Sequence, residues 1–291
     1  MAVLAHQGAN YRERIKKTLT ELPPFSPILN RLLASLAQED VSFSKIADLI
    51  EKDTVIAGNI LRLVNSALYG RRGEINSVRS AVSLLGVIKL RNFVLGLSVS
   101  RMWSQVQWPK SCSAARFNQH GVATAVLADL IAQQSVVEYP EGAFIAGLFH
   151  DIGKMLIALG MRREWDEIYS NYHKGGTPLI ECERQILGTT HAHLSGLAVS
   201  EWNLPEPIYR AVLQHHELPS MDPHGGPIPL AYVVSAADHY INRHGRSIDP
   251  DIQEIDLELP PMPHGMDFTE IEDEVLKKFE AELSALGAFF K

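Results

Sequence analysis

The sequence is short of cysteine. Cys112 and Cys182 are its only two in 291 residues, too few for a disulfide framework or a four-thiolate zinc site, and such usage fits a reducing compartment. The opening stretch MAVLAHQGANYRERIKK lacks a basic segment followed by a long apolar one. No signal peptide is therefore expected, and the cytoplasm is the simplest address. Positive charge is also in deficit: 27 Lys and Arg against 34 Asp and Glu leave a net charge of −7. That balance gives no general pull toward nucleic acid, and the one candidate basic patch, Arg71, Arg72, Lys89 and Arg91, reads as a solvated face. The two longest apolar stretches, 81–100 and 143–161, are each interrupted by charge, Lys89 and Arg91 in one and Asp151 and Lys154 in the other. Both are better read as buried helices than as membrane spans, so no membrane partner is expected. There is no glycine-rich phosphate loop, no GxSxG elbow and no HExxH helix, which leaves a nucleotide-loop enzyme and a serine hydrolase without support.

What the chain does have is apolar spacing of three and four residues almost throughout, with few alternating stretches, so the fold class is all-α. After Pro23 and Pro24, helices are predicted at about 25–37, 44–52, 54–68, 77–86 and 87–103. They form an N-terminal helical bundle over residues 18–108. A second helical part, 109–245, is predicted with helices at about 114–133, 141–159, 162–173, 177–187, 191–202, 205–216 and 228–243. Residues 246–291 read as a proline-rich, acidic connection followed by a C-terminal amphipathic helix. Asp267 and Glu270 suggest a capping box for it, and Phe268, Ile271, Val275, Leu276, Phe279 and Leu283 form its apolar stripe.

The second part carries polar residues where the pattern calls for core. The stretch GLFHDIGKMLI, 147–157, sets His150, Asp151 and Lys154 into an apolar run. An unpaired buried carboxylate costs several kcal/mol, so Asp151 needs a cation, a donor or a metal. His120, His191 in GTTHAHLSG, the pair His215 and His216, and Asp238 in VVSAADHY lie on other apolar helices. Imidazoles and carboxylates together suit divalent transition metals such as iron, manganese, zinc or nickel, and a carboxylate with two oxygens can bridge two ions. Simpler roles stay open for each residue alone. Asp151 and Lys154 are three apart and can form a local ion pair, His215 and His216 can serve a helix C-terminus, and Asp238 can cap or pair with an arginine. Convergence on one site would satisfy all of them together. Cys182, in PLIECERQILG, reads as a buried inert thiol, and His193 and His239 each neighbour a candidate ligand.

The order of these residues, a histidine, then HD with GK, a further histidine, HH and a late aspartate, resembles the HD superfamily of metal-dependent phosphohydrolases. LPPFSPILNRLL, IADLIEKDTVIAGNILRLVNSALYG and INSVRSAVSLLGVIKLRNFVLG narrow the resemblance to the HDOD domain, through Asp53, Asn65, Ser66, Ala81, Leu85 and Gly86. The likeness covers residues 18–245 and implies a multi-helix HDOD fold, the N-terminal bundle packed on an HD-like subdomain. By that resemblance His120, His150, Asp151 and Asp238 would hold one ion, and Asp151, His191, His215 and His216 a second, an unusually complete set for HDOD proteins. Asp151 and Lys154 would be the catalytic residues, Lys154 facing phosphate. No GYP tripeptide follows His215 and His216, and Arg116 stands where some related cyclic-di-GMP phosphodiesterases have an acidic third-metal ligand. A trinuclear centre and specific cleavage of that dinucleotide are therefore not implied. Where an acidic residue often follows in the motif, this chain has His193. The resemblance implies first a signalling or regulatory protein that acts through a protein partner. The alternative is a phosphohydrolase or phosphodiesterase acting on a nucleotide, a cyclic dinucleotide or another small phosphate compound.

Overall fold

Short polar side chains set where many of the helices begin. In this computed structural model, which describes residues 2–36, 43–66, 69, 74–221, 226–257 and 268–287, the chain forms two compact units. No strand occurs among the described residues beyond an isolated bridge between Val137 and Ile228, so the fold is all-α. One unit comprises Pro24–Gln105 and the C-terminal helix. The other joins the first residues of the chain to those after 105.

In the first of these units the Ser26 hydroxyl accepts from the Leu29 N–H at 3.2 Å and starts α2 (Pro27–Ser35). After α3 (Phe43–Ile50), Asp53 accepts from the Val55 and Ile56 N–H groups, both at 3.1 Å, and starts α4 (Thr54–Val64). Such caps satisfy N–H groups that a helix start leaves without partners. Asn65 ends α4 and braces the chain ahead: its amide donates to the Ile75 carbonyl at 2.8 Å and accepts from the Ile75 N–H at 2.9 Å. Ser77 caps α5 (Val78–Leu85). Gly86, at φ 78, then bends the chain by 115° into α6 (Val87–Trp103), which is buried continuously from Leu90 to Ser100. In the C-terminal helix α15 (Phe268–Gly287), Val275 and Phe279 are buried, while Asp267 of the expected capping box lies outside the described residues. Arg71 and Arg72 lie outside them too. Of the other residues in the candidate basic patch, Lys89 pairs with Glu282 and Arg91 is buried.

The second unit begins with α1 (Ala2–Glu21), a helix absent from the predicted set. Its turns are largely polar, and the contacts that hold it are tertiary: Ile15 and Thr18 are buried, Thr18 close to Gly160. The centre is α7 (Ala114–Ala132), buried at every position from His120 onward and flanked by α8 (Ala143–Phe149) and α14 (Leu230–Arg243). Gly147 lets α8 approach closely, since a Cβ there would stand 2.8 Å from the Ala125 Cα.

The single helix expected at 141–159 is two. α8 stops at Phe149 and α9 (Ile152–Gly160) follows, with Asp151 between them at φ −101 and ψ 8. Periodicity could not register the break, because α8 is buried throughout and most of α9 is as well. Around them lie α10 (Arg162–Tyr172), α11 (Leu179–Leu187), α12 (His191–Glu201) and α13 (Glu206–Gln214). Gly188, at φ 66, ends α11, and Thr190 caps α12, which makes His191 the first residue of that helix.

Candidate metal centre

Every candidate ligand named from the sequence belongs to this second unit, and five segments bring them together: His120 from α7, His150 and Asp151 from the α8–α9 junction, His191 from the start of α12, His215 and His216 just after α13, and Asp238 from α14. Gly153 permits the approach. A Cβ on it would lie 2.0 Å from the His191 carbonyl oxygen, and its N–H donates to the buried Ser195 hydroxyl at 2.7 Å. The GK pair after HD thus has a steric reason for its glycine.

Four buried histidines are fixed from behind. Nδ1 of His120 donates to the Arg246 carbonyl at 3.0 Å, that of His150 to Gly147 at 2.8 Å, and that of His215 to Val212 at 2.7 Å. His191 Nδ1 meets the Glu183 carboxylate at 2.8 Å, and Glu183 also accepts the His191 N–H at 2.7 Å. A carbonyl can only accept, so these contacts place a proton on Nδ1 and turn each Nε2 inward as the free ligand atom.

The Nε2 atoms face the two aspartates. His120 Nε2 lies 3.3 Å from Asp151 Oδ2 and 3.1 Å from Asp238 Oδ1, and His150 Nε2 lies 3.4 and 3.3 Å from the same two atoms. The two Nε2 atoms are 3.3 Å apart. Ligand atoms about 2.1 Å from one ion are separated by about 3.0 to 3.4 Å in octahedral or tetrahedral arrangements, so these four fit a divalent ion. The other oxygen of Asp151 faces a second group. Oδ1 is 3.1 Å from His191 Nε2 and 3.9 Å from His215 Nε2, and His191 Nε2 is 3.0 Å from His216 Nε2. Both Asp151 Oδ1 and His215 Nε2 are buried without a hydrogen bond. Burying such groups unsatisfied is costly, and a cation among them would remove the cost. The donors therefore fit divalent metal on both sides of Asp151.

The electrostatics agree. Burial disfavours the charged form of Asp151, but His150 and Lys154 outweigh it and hold the carboxyl well below its usual range. Burial likewise opposes protonation of His150, yet Asp151 and Asp238 raise its pKa to about 10. For His215 burial and the neighbouring histidines act together and keep it neutral. His216 sits at the exposed rim, but the surrounding protein and His191 still disfavour its charged form. Lys154 reaches Asp151 Oδ2 at 2.8 Å, so the ion pair left open from the sequence forms beside the cluster and coexists with it.

The other roles left open do not describe these residues fully. Asp238 accepts from Asn242 at 2.8 Å as well as facing two histidines. His193 is exposed and bonds Thr190, outside the cluster. Cys182 is buried, and burial raises its pKa. Arg116 donates to the Ser247 carbonyl at 2.8 Å, a structural contact. The sequence reading missed Glu183, Ser195 and Asn242. Only Glu183 left a trace there: a carboxylate adjoining Cys182 on a face expected to be buried.

Comparisons with known proteins agree with this architecture. The family model described as HDOD domain matches residues 22–218. An uncharacterized protein of Treponema pallidum (strain Nichols) is 22% identical over 205 residues, 70% of this chain but only 39% of that protein's length. A solved "Putative phosphohydrolase" from Shewanella amazonensis SB2B superimposes with a TM-score of 0.72 at 21% identity, covering 96% of this chain and 98% of its own. A "Putative signal transduction protein" from Marinobacter aquaeolei VT8 gives 0.71 at 17% identity, with 98% and 66% covered. At these identities the likeness is one of fold.

Proposed function

The chain belongs to the HDOD family, and from that premise we propose that it is a metal-dependent phosphohydrolase centre housed in a signalling protein of the cytoplasm. One observation carries the reading: the two oxygens of Asp151 face separate histidine clusters. His120, His150, Asp151 and Asp238 would hold one divalent ion, iron, manganese, zinc or nickel, and Asp151, His191, His215 and His216 a second. Bound ions of this kind supply Lewis acidity and a water of lowered pKa. The chain's own residues do the rest. Lys154 lines the adjoining cavity and stays cationic, because Asp151 outweighs the effect of burial on it, so it can neutralise a phosphoryl oxygen. Glu183 fixes the His191 ring. The solved relative named a phosphohydrolase shares the fold that sets these residues together.

The test is metal content per chain, purified without chelator, together with hydrolysis of a panel of phosphate esters, for wild type and Asp151→Ala. Near-stoichiometric metal and turnover, both lost in the variant, are expected. Turnover that survives Asp151→Ala overturns the mechanism.

A second reading, output through a protein partner, has its own support: the 24–105 unit carries none of the ligands, yet exposes Val55 at 51% and Ile88 at 48%. A double substitution Val55→Glu, Ile88→Glu should abolish cellular signalling output while leaving metal content intact. Unchanged output would remove this reading.

A further inference from the structure

The cluster opens into a cavity of about 190 Å³ with a mixed lining. Lys154, His191, His215, His216 and Asp238 of the cluster form its floor, Tyr169, Leu179, Ile180, Ile248, Ile252 and Ile255 supply its apolar wall, and polar side chains such as Ser235, His239 and Asp249 line it as well. Much of that wall comes from residues 246–257, beyond the 22–218 matched by the family, so nothing in the family assignment speaks to it. The segment is fastened at both ends. The Arg246 and Ser247 carbonyls accept from His120 and Arg116 of α7. At the far side the Gln253 N–H donates to the Tyr172 hydroxyl at 2.8 Å, and Asp256 accepts from the Leu179 N–H at 3.4 Å. The carboxylates near the wall have partners of their own: Asp249 holds His173 at 2.7 Å and the Asp251 N–H at 2.9 Å. The apolar part of the lining is incompletely covered. Ile255 is 40% exposed, and Ile180 and Ile252 are partly so.

From this we infer that the cavity is an ester site with an apolar subsite: it takes a phosphate monoester bearing one compact apolar or aromatic group, the phosphate against the floor and the organic group against the isoleucine wall. The inference rests on the phosphohydrolase reading for the floor and on the wall for the organic group. A compact ring fits, and it removes apolar surface of both ligand and wall from water.

The experiment measures binding to the full chain loaded with manganese, by calorimetry, for inorganic phosphate and phenylphosphonate. Phenylphosphonate should bind about tenfold or more tighter than phosphate. Ile180→Ser with Ile252→Ser should reduce the phenyl advantage below about threefold while leaving phosphate affinity unchanged, and Ile252→Val should retain it. Unchanged phosphate affinity shows that the variants are folded at the floor. Equal affinity for phosphate and phenylphosphonate, or an advantage that survives both serines, overturns the inference and leaves the phosphohydrolase reading standing. If neither phosphate nor phenylphosphonate binds the metal-loaded protein, both fall.

Discussion

At Gly86 the chain turns from α5 into α6 with φ 78, and at His150 and Asp151 it turns from α8 into α9 with Asp151 at φ −101 and ψ 8. Both breaks interrupt long apolar runs, and both are followed by buried helix. The first uses the backbone freedom of glycine and leaves only a bend. The second uses a histidine and an aspartate, and the bend aims a carboxylate at two histidine clusters. An apolar run with a break in it is thus not diagnostic of a site. The difference lies in what stands at the break and in what the neighbouring helices send to meet it.

Alanine at the two glycines should separate these cases most sharply. A Cβ on Gly153 would meet the His191 carbonyl oxygen at 2.0 Å, and backbone cannot step aside as a side chain can. Gly153→Ala should therefore cost about 3 kcal/mol or more in urea unfolding, and α9 and α12 must part, with loss of metal. A Cβ on Gly86 meets nothing within 4 Å, but φ 78 with ψ 163 suits glycine almost alone. Gly86→Ala should cost about 1 to 3 kcal/mol with metal content unchanged. Equal metal loss in both variants would dissolve the distinction.

The supporting shell gives the next effect. Glu183→Gln keeps the size of the side chain but weakens its hold on His191 Nδ1, and metal affinity should fall about 10- to 100-fold, read by competition with a chelating dye. Proton release comes next. His150, with its pKa raised to about 10, carries an extra proton at neutral pH when no ion is bound. Metal must displace that proton, so apparent affinity should rise with pH, by about tenfold per unit for each proton released. Affinity that is flat between pH 6 and 8 would contradict the protonated metal-free site.

How much of this was legible beforehand follows from what each feature needs. The all-α class and most helices could be read, because apolar spacing records a helix that has one wet face, as α10 and α13 do. The seven candidate ligands that the fold brings together could be picked out because histidine and aspartate in apolar surroundings are anomalous one by one. The α8–α9 break could not, since the apolar run continues through it and burial that takes in all of α8 and most of α9 blurs the period. Nor could α1, whose polar turns dock through a few residues such as Ile15 and Thr18. Glu183 was hidden for another reason: its partner, His191, is on a different helix, and only the fold brings the two together.

The smallest effect compares two ion pairs, one in each unit. Arg14 holds Glu164 through two contacts of 2.5 and 3.2 Å, and the carboxylate is largely shielded, 17% exposed. Arg79 and Asp48 meet at 2.5 Å with both side chains about half exposed, at 55% and 51%. The hydrogen bonding from Arg14, which outweighs burial, lowers the Glu164 pKa from 4.5. A lowered folded pKa means that the unfolded chain binds the proton more tightly, so the stabilisation is present above about pH 4.5 and disappears as pH falls through the lower folded value. With Arg14 itself 36% exposed, solvent limits the amount to about 0.5 to 1 kcal/mol. Glu164→Gln should thus destabilise by that much at pH 7 in urea titrations and by nothing at a pH below the lowered folded pKa, where the wild-type carboxyl is protonated as well. Asp48→Asn should show no resolvable loss at either pH, because an ion pair open to water on both sides gains little from its charge. Equal losses at pH 7 would mean that shielding at Glu164 does not set the size of the effect.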